Sequence, residues 1–235
     1  MPPSKKSLPP LSADQDAAVA ELEAAFRRRC WRLPFKRAAD VIASALGLLA
    51  LAPVFGMIAL AVTLDDRGPV FYRQLRVGRN EKPFFILKFR TMVPNADRAG
   101  QLTVGADPRV TRAGRFLRRT KLDELAQLVN VLRGEMSLVG PRPEVPRYVA
   151  LYTPLQRMAL RIRPGVTDPA SIRYRNESEL LDAAADPERL YIETVMPAKL
   201  AINLNYLRGF SVWGDCAVLL STVLHLGKDA AKKAG

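Results

Sequence analysis

Residues 41–64 read VIASALGLLALAPVFGMIALAVTL, and the reading of this stretch decides the fold. It carries no charge and runs for about 24 residues, where a bilayer core needs about 20. An ordinary spanning helix is the plain reading. A cleaved signal peptide fits poorly, because the run starts late and continues well past the small residues at Ala50-Leu51-Ala52. Pro53 sits at the centre, where it removes a backbone donor and kinks a helix. Basic residues flank both ends: Arg27, Arg28, Arg29, Arg32, Lys36 and Arg37 before, then Arg67, Arg73, Arg76 and Arg79 after. Such flanks prefer the cytoplasmic side. A re-entrant helix broken at Pro53, with halves of about 18 Å each, satisfies both features. Charge and proline alone leave the spanning and re-entrant readings open.

Outward from this stretch, Met1 to Ser12 is rich in Pro, Ser and Lys and reads as a disordered tail. Ala13 to Arg29 reads as a helix, acidic at its start and basic at its end. On the far side, Pro69–Tyr72 and Phe84–Phe89 are aromatic and β-prone around a turn at Gly78–Lys82. Arg109 to Leu132 has a helical pattern whose Arg112, Arg115, Arg118 and Arg119 interleave with Phe116 and Leu117. That segment suits a membrane surface, though taken alone it reads first as a plain solvated face. Pro/Gly-punctuated loops are expected at 133–146 and 163–169, with helical pattern between them. Pro187–Arg208 and Val212–Leu226 read as closing helices, the last interrupted by Asp215 and too short to span. The expected fold is α+β, mainly α: a re-entrant membrane helix, membrane-surface amphipathic helices, and a small β or extended region around the site. Three parts are expected: a tail and helix over 1–34, the membrane helix over 35–66, and a catalytic domain over 67–235.

The 235 residues hold 36 Lys and Arg against 23 Asp and Glu, a net charge of +13. So basic a chain favours a polyanionic partner such as nucleic acid, anionic lipid or a phosphorylated substrate. The uncharged run argues against nucleic acid. Cys30 and Cys216 fit no metal or redox spacing, and His225 is the sole histidine. Zinc hydrolysis and Ser-His chemistry are therefore poor fits, and neither a Walker A loop nor a dinucleotide fingerprint is present. Chemistry has to run on carboxylates, Lys and Arg, with or without a metal ion.

Three groups could carry it. Thr120-Lys121-Leu122-Asp123-Glu124-Leu125 sets two adjacent carboxylates beside arginines. If Thr120 caps a helix, both acids fall in its first turn, where they also simply suit the dipole. Arg142, in Gly140-Pro141-Arg142-Pro143, leaves a backbone fixed by proline on each side, a geometry suited to gripping phosphate. Lys88 and Arg90 in LKFRTM would share one strand face by their period of two.

Together these segments resemble the bacterial sugar transferase family, the monotopic polyprenyl-phosphate phosphoglycosyl transferases. The carriers are the apolar run, GPVFYRQLRVGRN, KPFFILKFRTM, LRRTKLDELAQLVNVLRGEMSLVGPRPE and RIRPGVT, spread over Phe35 to Leu226. The resemblance implies a small single-unit member, monotopic on the cytoplasmic face of the bacterial inner membrane, whose re-entrant helix breaks at Pro53. It implies that Asp123 attacks the β-phosphorus of a UDP-sugar, expels UMP, and passes the phosphosugar to undecaprenyl phosphate. It further implies Glu124 as the residue associated with Mg²⁺, and Lys88, Arg118 and Arg142 as phosphate-handling groups. Anionic lipids are expected contacts, nucleic acid is not, and the closing helices could form a homodimer surface. The competing expectation is an inactive membrane scaffold of a glycan-assembly complex, against which the intact dyad, GPRP and LKFRTM argue.

The chain departs from the family pattern in places. Lys121 replaces Ser or Thr, and Ala126 replaces a common proline. After RPGVT the chain reads Asp168-Pro169-Ala170-Ser171-Ile172-Arg173-Tyr174-Arg175 where the family often has G-W-A-Q-V-N-G-R. Asn203 stands where an acidic residue is frequent. These last changes are expected to concern the sugar or nucleotide.

Overall fold

The computed structural model describes residues 13–94, 96 and 107–232; the expected tail lies outside them. Helix α1 (Ala13–Arg27) leads through one 3₁₀ turn at Cys30–Arg32 into the long helix α2 (Leu33–Asp66). Pro34 opens α2, where a missing N–H costs nothing. Arg67, in the left-handed conformation at φ 50°, closes it by donating its N–H to Thr63 O. The sequence expectation was of a helix interrupted at Pro53. In the structure α2 is one helical element with Pro53 inside it and no non-helical linker. It is long and apolar enough to cross a membrane, and only 11% of its most apolar window is buried. Ile42, Leu46, Leu49, Met57, Leu60 and Leu64 are 59–76% exposed. A face of that size and apolarity marks an interaction surface rather than a face kept in water.

What the two ends of α2 touch was not visible in the sequence. Lys36 does not serve as a flanking membrane anchor: it is buried in an ion pair with Asp215 at 2.5 Å. Arg37 donates to Val131 O at 2.6 Å and Leu132 O at 3.0 Å, and Asp40 accepts from Leu138 N at 3.1 Å. At the other end, Asp65 accepts from Ala113 N at 2.8 Å and Asp66 pairs with Arg90. Both ends are thus tied to one folded body, with the exposed apolar middle between them.

That body begins with an antiparallel hairpin, β1 (Phe71–Val77) and β2 (Pro83–Phe89), in register from Phe71↔Phe89 to Val77↔Pro83. The single helix expected over Arg109–Leu132 is divided. Helix α3 (Arg112–Thr120) is capped by the Thr111 side chain, a 3₁₀ segment covers Leu122–Ala126, and α4 (Gln127–Arg133) follows. The break falls at Lys121, which is left-handed at φ 59°. Gly114 lets α3 lie on the chain after β2, since a Cβ there would stand 2.0 Å from Thr91 O.

Two expected loops contain short strands instead: β3 (Ser137–Val139) and β4 (Gly165–Thr167) pair in parallel. Between them the expected helix is reduced to α5 (Pro146–Val149), α6 (Pro154–Arg157) and a 3₁₀ turn, because prolines restart the chain. The rest is helical: α7 (Pro169–Arg173), α8 (Glu177–Asp182), α9 (Pro187–Leu190), a π-helical turn, α10 (Met196–Gly209) and α11 (Val212–Lys232). One core joins α1 to α10 through Leu22, Phe26, Leu207 and Phe210. A second joins α2 to the 3₁₀ segment through Ile58, Val62, Phe89, Leu117 and Ala126.

Candidate active site

The 3₁₀ segment that carries Asp123 and Glu124 rests on that second core, where Ala126 is fully buried. Thr120 does not cap it. Its hydroxyl bonds back to Phe116 O at 2.8 Å, as Ser and Thr do late in a helix, and Lys121 occupies the cap position. The 3₁₀ winding gives neighbours about 120° of separation, so the two carboxylates enter different surroundings.

Glu124 is held on both sides. Lys88 Nζ donates to Oε1 at 3.0 Å, and Arg142 forks onto both oxygens, with Nη1 3.1 Å from Oε2. Burial works to raise the Glu124 pKa, yet Arg142 and Lys88 outweigh it and hold this carboxyl well below the usual range. In return Glu124 holds the Arg142 guanidinium above its ordinary value. Lys88 is pulled down by burial, with Glu124 opposing. Asp123 differs in kind. It is 7% exposed, and its Oδ1 is buried with no hydrogen-bond partner. Burial, and then the Glu124 charge, push its carboxyl up, while Lys88, Lys121 and Arg118 pull the other way. A buried carboxylate oxygen left without a donor is costly.

Local structure explains these placements. Lys88 is on β2, whose backbone is gripped by Asn130 of α4: the amide accepts from Leu87 N at 2.9 Å and donates to Phe85 O at 2.8 Å. Arg90 does not join Lys88 at the site. The strand ends at Phe89, and Arg90 turns to Asp66 at the end of α2. Arg118 donates through Nε to Thr91 Oγ1 at 3.0 Å, and its charge acts on Asp123. Arg142 leaves the turn after β3. There Gly140 N donates to Thr167 O at 3.1 Å and Gly165 N to Pro141 O at 3.0 Å. Pro53 belongs to α2, is exposed in its apolar middle, and takes no part in this cluster.

Glu124, Lys121 and Arg142 line a cavity of about 560 Å³ that continues past Arg76 and Glu144 toward Tyr148, Tyr152, Tyr174 and Tyr191. Sequence reasoning did not single out this wall. Arg76 pairs with Glu144 at 3.2 Å, and the Tyr191 hydroxyl also donates to Glu144. Burial pushes the Tyr191 hydroxyl far above its usual range, and Glu144 adds to this. The one available signal was that Glu144 directly follows GPRP. Asp168 and Asn203 line the same cavity.

Fold and site together define a protein with one long apolar helix and a pair of carboxylates among lysines and arginines, of which Glu124 lines the cavity and Asp123, with Lys88 and Arg118, does not. The profile of the bacterial sugar transferase family matches residues 31–229, and the chain belongs to that family. It is 41% identical over 203 residues to the undecaprenyl-phosphate glucose phosphotransferase of Komagataeibacter xylinus, covering 82% of this chain and 36% of the relative. It is 40% identical over 193 residues to the UDP-glucose:undecaprenyl-phosphate glucose-1-phosphate transferase of Escherichia coli K12, covering 80% and 39%. The chain thus spans well under half the length of these two relatives. It is also 35% identical over 204 residues to the exopolysaccharide production protein ExoY of Sinorhizobium fredii, covering 80% of this chain and 83% of the relative.

Proposed function

We propose that this protein transfers a sugar-1-phosphate from a UDP-sugar to undecaprenyl phosphate, with Asp123 as nucleophile. The carrying observation is the contrast within the dyad: Glu124 is gripped on both oxygens by Lys88 and Arg142, while Asp123 keeps a buried, unpartnered Oδ1. In the first step an Asp123 oxygen bonds to the β-phosphorus, and the bond to the departing UMP oxygen breaks. In the second, an oxygen of the lipid phosphate attacks the same phosphorus and returns the carboxylate to Asp123. The product is a lipid-linked diphosphosugar. A carboxylate approaching a diphosphate meets like-charge repulsion, which Lys88, Arg118 and Arg142 offset. The names of the relatives support this reaction class, and UDP-glucose is the first donor to test.

The residues fit a Mg²⁺ ion shared with the donor's phosphates rather than an all-protein cage. Among the described residues no three His, Cys, Asp or Glu side chains gather, but Mg²⁺ needs only one or two carboxylates besides phosphate and water. Glu124 uses three of its roughly four lone-pair sites on Lys88 and Arg142, so one on Oε2 remains, and Asp123 Oδ1 is without a donor; these two carboxylates would hold the ion. When bound, the ion supplies positive charge to the diphosphate.

The same reading makes α2 a re-entrant anchor that turns at Pro53, seated in the inner membrane with the folded body on the cytoplasmic face. Its support is that both ends of α2 are tied to one body. Single cysteines at Ser12 and Glu81, in a chain lacking Cys30 and Cys216, should be labelled only from the cytoplasm. Periplasmic labelling of either one means that α2 spans. For the reaction, UMP release is measured with a panel of UDP-sugars, undecaprenyl phosphate and Mg²⁺. Release with at least one sugar, abolished in Asp123→Asn, is expected; release that survives the substitution rules out Asp123.

A further inference from the structure

Proline has no N–H, so Arg142 supplies the only backbone donor in Pro141-Arg142-Pro143. That donor goes to Asp168 Oδ2 at 3.1 Å. Asp168 is fully buried, and its carboxylate also accepts from Ser171 N at 2.5 Å and from Asn203 Nδ2 at 2.8 Å. Its two oxygens divide the work. Oδ1 caps α7 through Ser171, whereas Oδ2 holds Arg142 and Asn203 together. An ionised carboxylate only accepts, so the Asn203 amide must turn its nitrogen toward it. An acidic residue at 203 would instead set two buried carboxylates against each other. The departures at 168 and 203 are therefore one contact, and it ends on the backbone of Arg142.

We infer that Asp168 is a positioning residue, locked by Asn203, that fixes the Arg142 backbone so that its guanidinium is aimed at the phosphate under transfer. The tether acts at the root of the side chain and the fork onto Glu124 at its tip, so Arg142 is held at both ends. An arginine so fixed needs little reorganisation when negative charge develops on phosphorus. The aim of Arg142 rests on the reaction proposed above; the tether does not.

Asp168→Ser separates the two roles of the carboxylate, since serine is a good helix cap but is too short to serve three donors at once. Hydrogen exchange at the Arg142 amide is expected to quicken by about 10-fold or more on loss of a charge-assisted bond. UMP release from the folded fraction should fall by about 10- to 100-fold in kcat, beside a lowered thermal transition from the donors left unpaired. In an Arg142→Ala chain, Asp168→Ser should cost almost nothing further, because the two residues act as one unit. Unchanged exchange at Arg142 overturns the tether. Losses that multiply in the double variant overturn its action through Arg142. If the wild-type chain releases no UMP from any UDP-sugar, the proposed reaction falls, and the exchange result still decides the tether.

Discussion

Asp215 and Glu124 are both carboxylates enclosed among partners, in two regions that differ in what they leave open. Asp215 takes Lys36 on one oxygen at 2.5 Å and the Tyr206 hydroxyl on the other at 2.6 Å. Burial raises its pKa and Lys36 opposes the rise. None of these three residues lines the cavity. Around Glu124 two cations crowd one carboxylate, its neighbour Asp123 has an oxygen with no partner, and one side faces the cavity. The first cluster is complete in itself and bolts α2 to α11. The second is not, since Asp123 keeps an unpartnered oxygen, and the cations near it suit the anionic substrate proposed above.

Substitution can break this comparison from either side. The largest effect is expected at Asp123→Asn: a loss of UMP release of about 10³-fold or more, with thermal stability kept or raised because burial already disfavours that charge. Lys36→Met should do the reverse. It leaves Asp215 buried and unpaired, which costs about 3–5 kcal/mol, while the folded fraction keeps its turnover; denaturant unfolding beside UMP assays separates the two. Smaller still is the change when Lys36→Met, Asp215→Leu and Tyr206→Phe are made together. Replacing the whole cluster by apolar groups should stay within about 1 kcal/mol of wild type. A large loss of turnover there would mean that the bolt also serves the site.

The same two regions show what sequence could reveal. The long apolar run, the hairpin and the dyad were legible because each is local: uncharged length, aromatic strands around a turn, and adjacent acids. The hairpin strands were read short at β1, where Arg73, Gln74 and Arg76 mask the alternation. The break at Lys121 was hidden, because Thr120 looks like a cap and a positive φ at lysine has no sequence signature. Parallel pairing of β3 with β4 was hidden by brevity, as three residues per strand carry no period. Lys36 and Arg37 looked like headgroup anchors because their partners, Asp215 and the end of α4, lie about 180 and 95 residues away. Asp168 and Asn203 stood out only as departures, and their meaning came from a contact that joins 142, 168 and 203.

The claim that Asp123 carries the phosphosugar is tested most directly by trapping it. The protein is mixed with UDP-glucose and Mg²⁺, without undecaprenyl phosphate, quenched, digested and read by mass spectrometry. A hexose-phosphate adduct on the peptide holding Asp123, absent in Asp123→Asn and discharged when lipid phosphate is added before the quench, is the predicted result. An adduct on another residue, or UMP released in step with lipid product while no adduct forms under any quench, would contradict it.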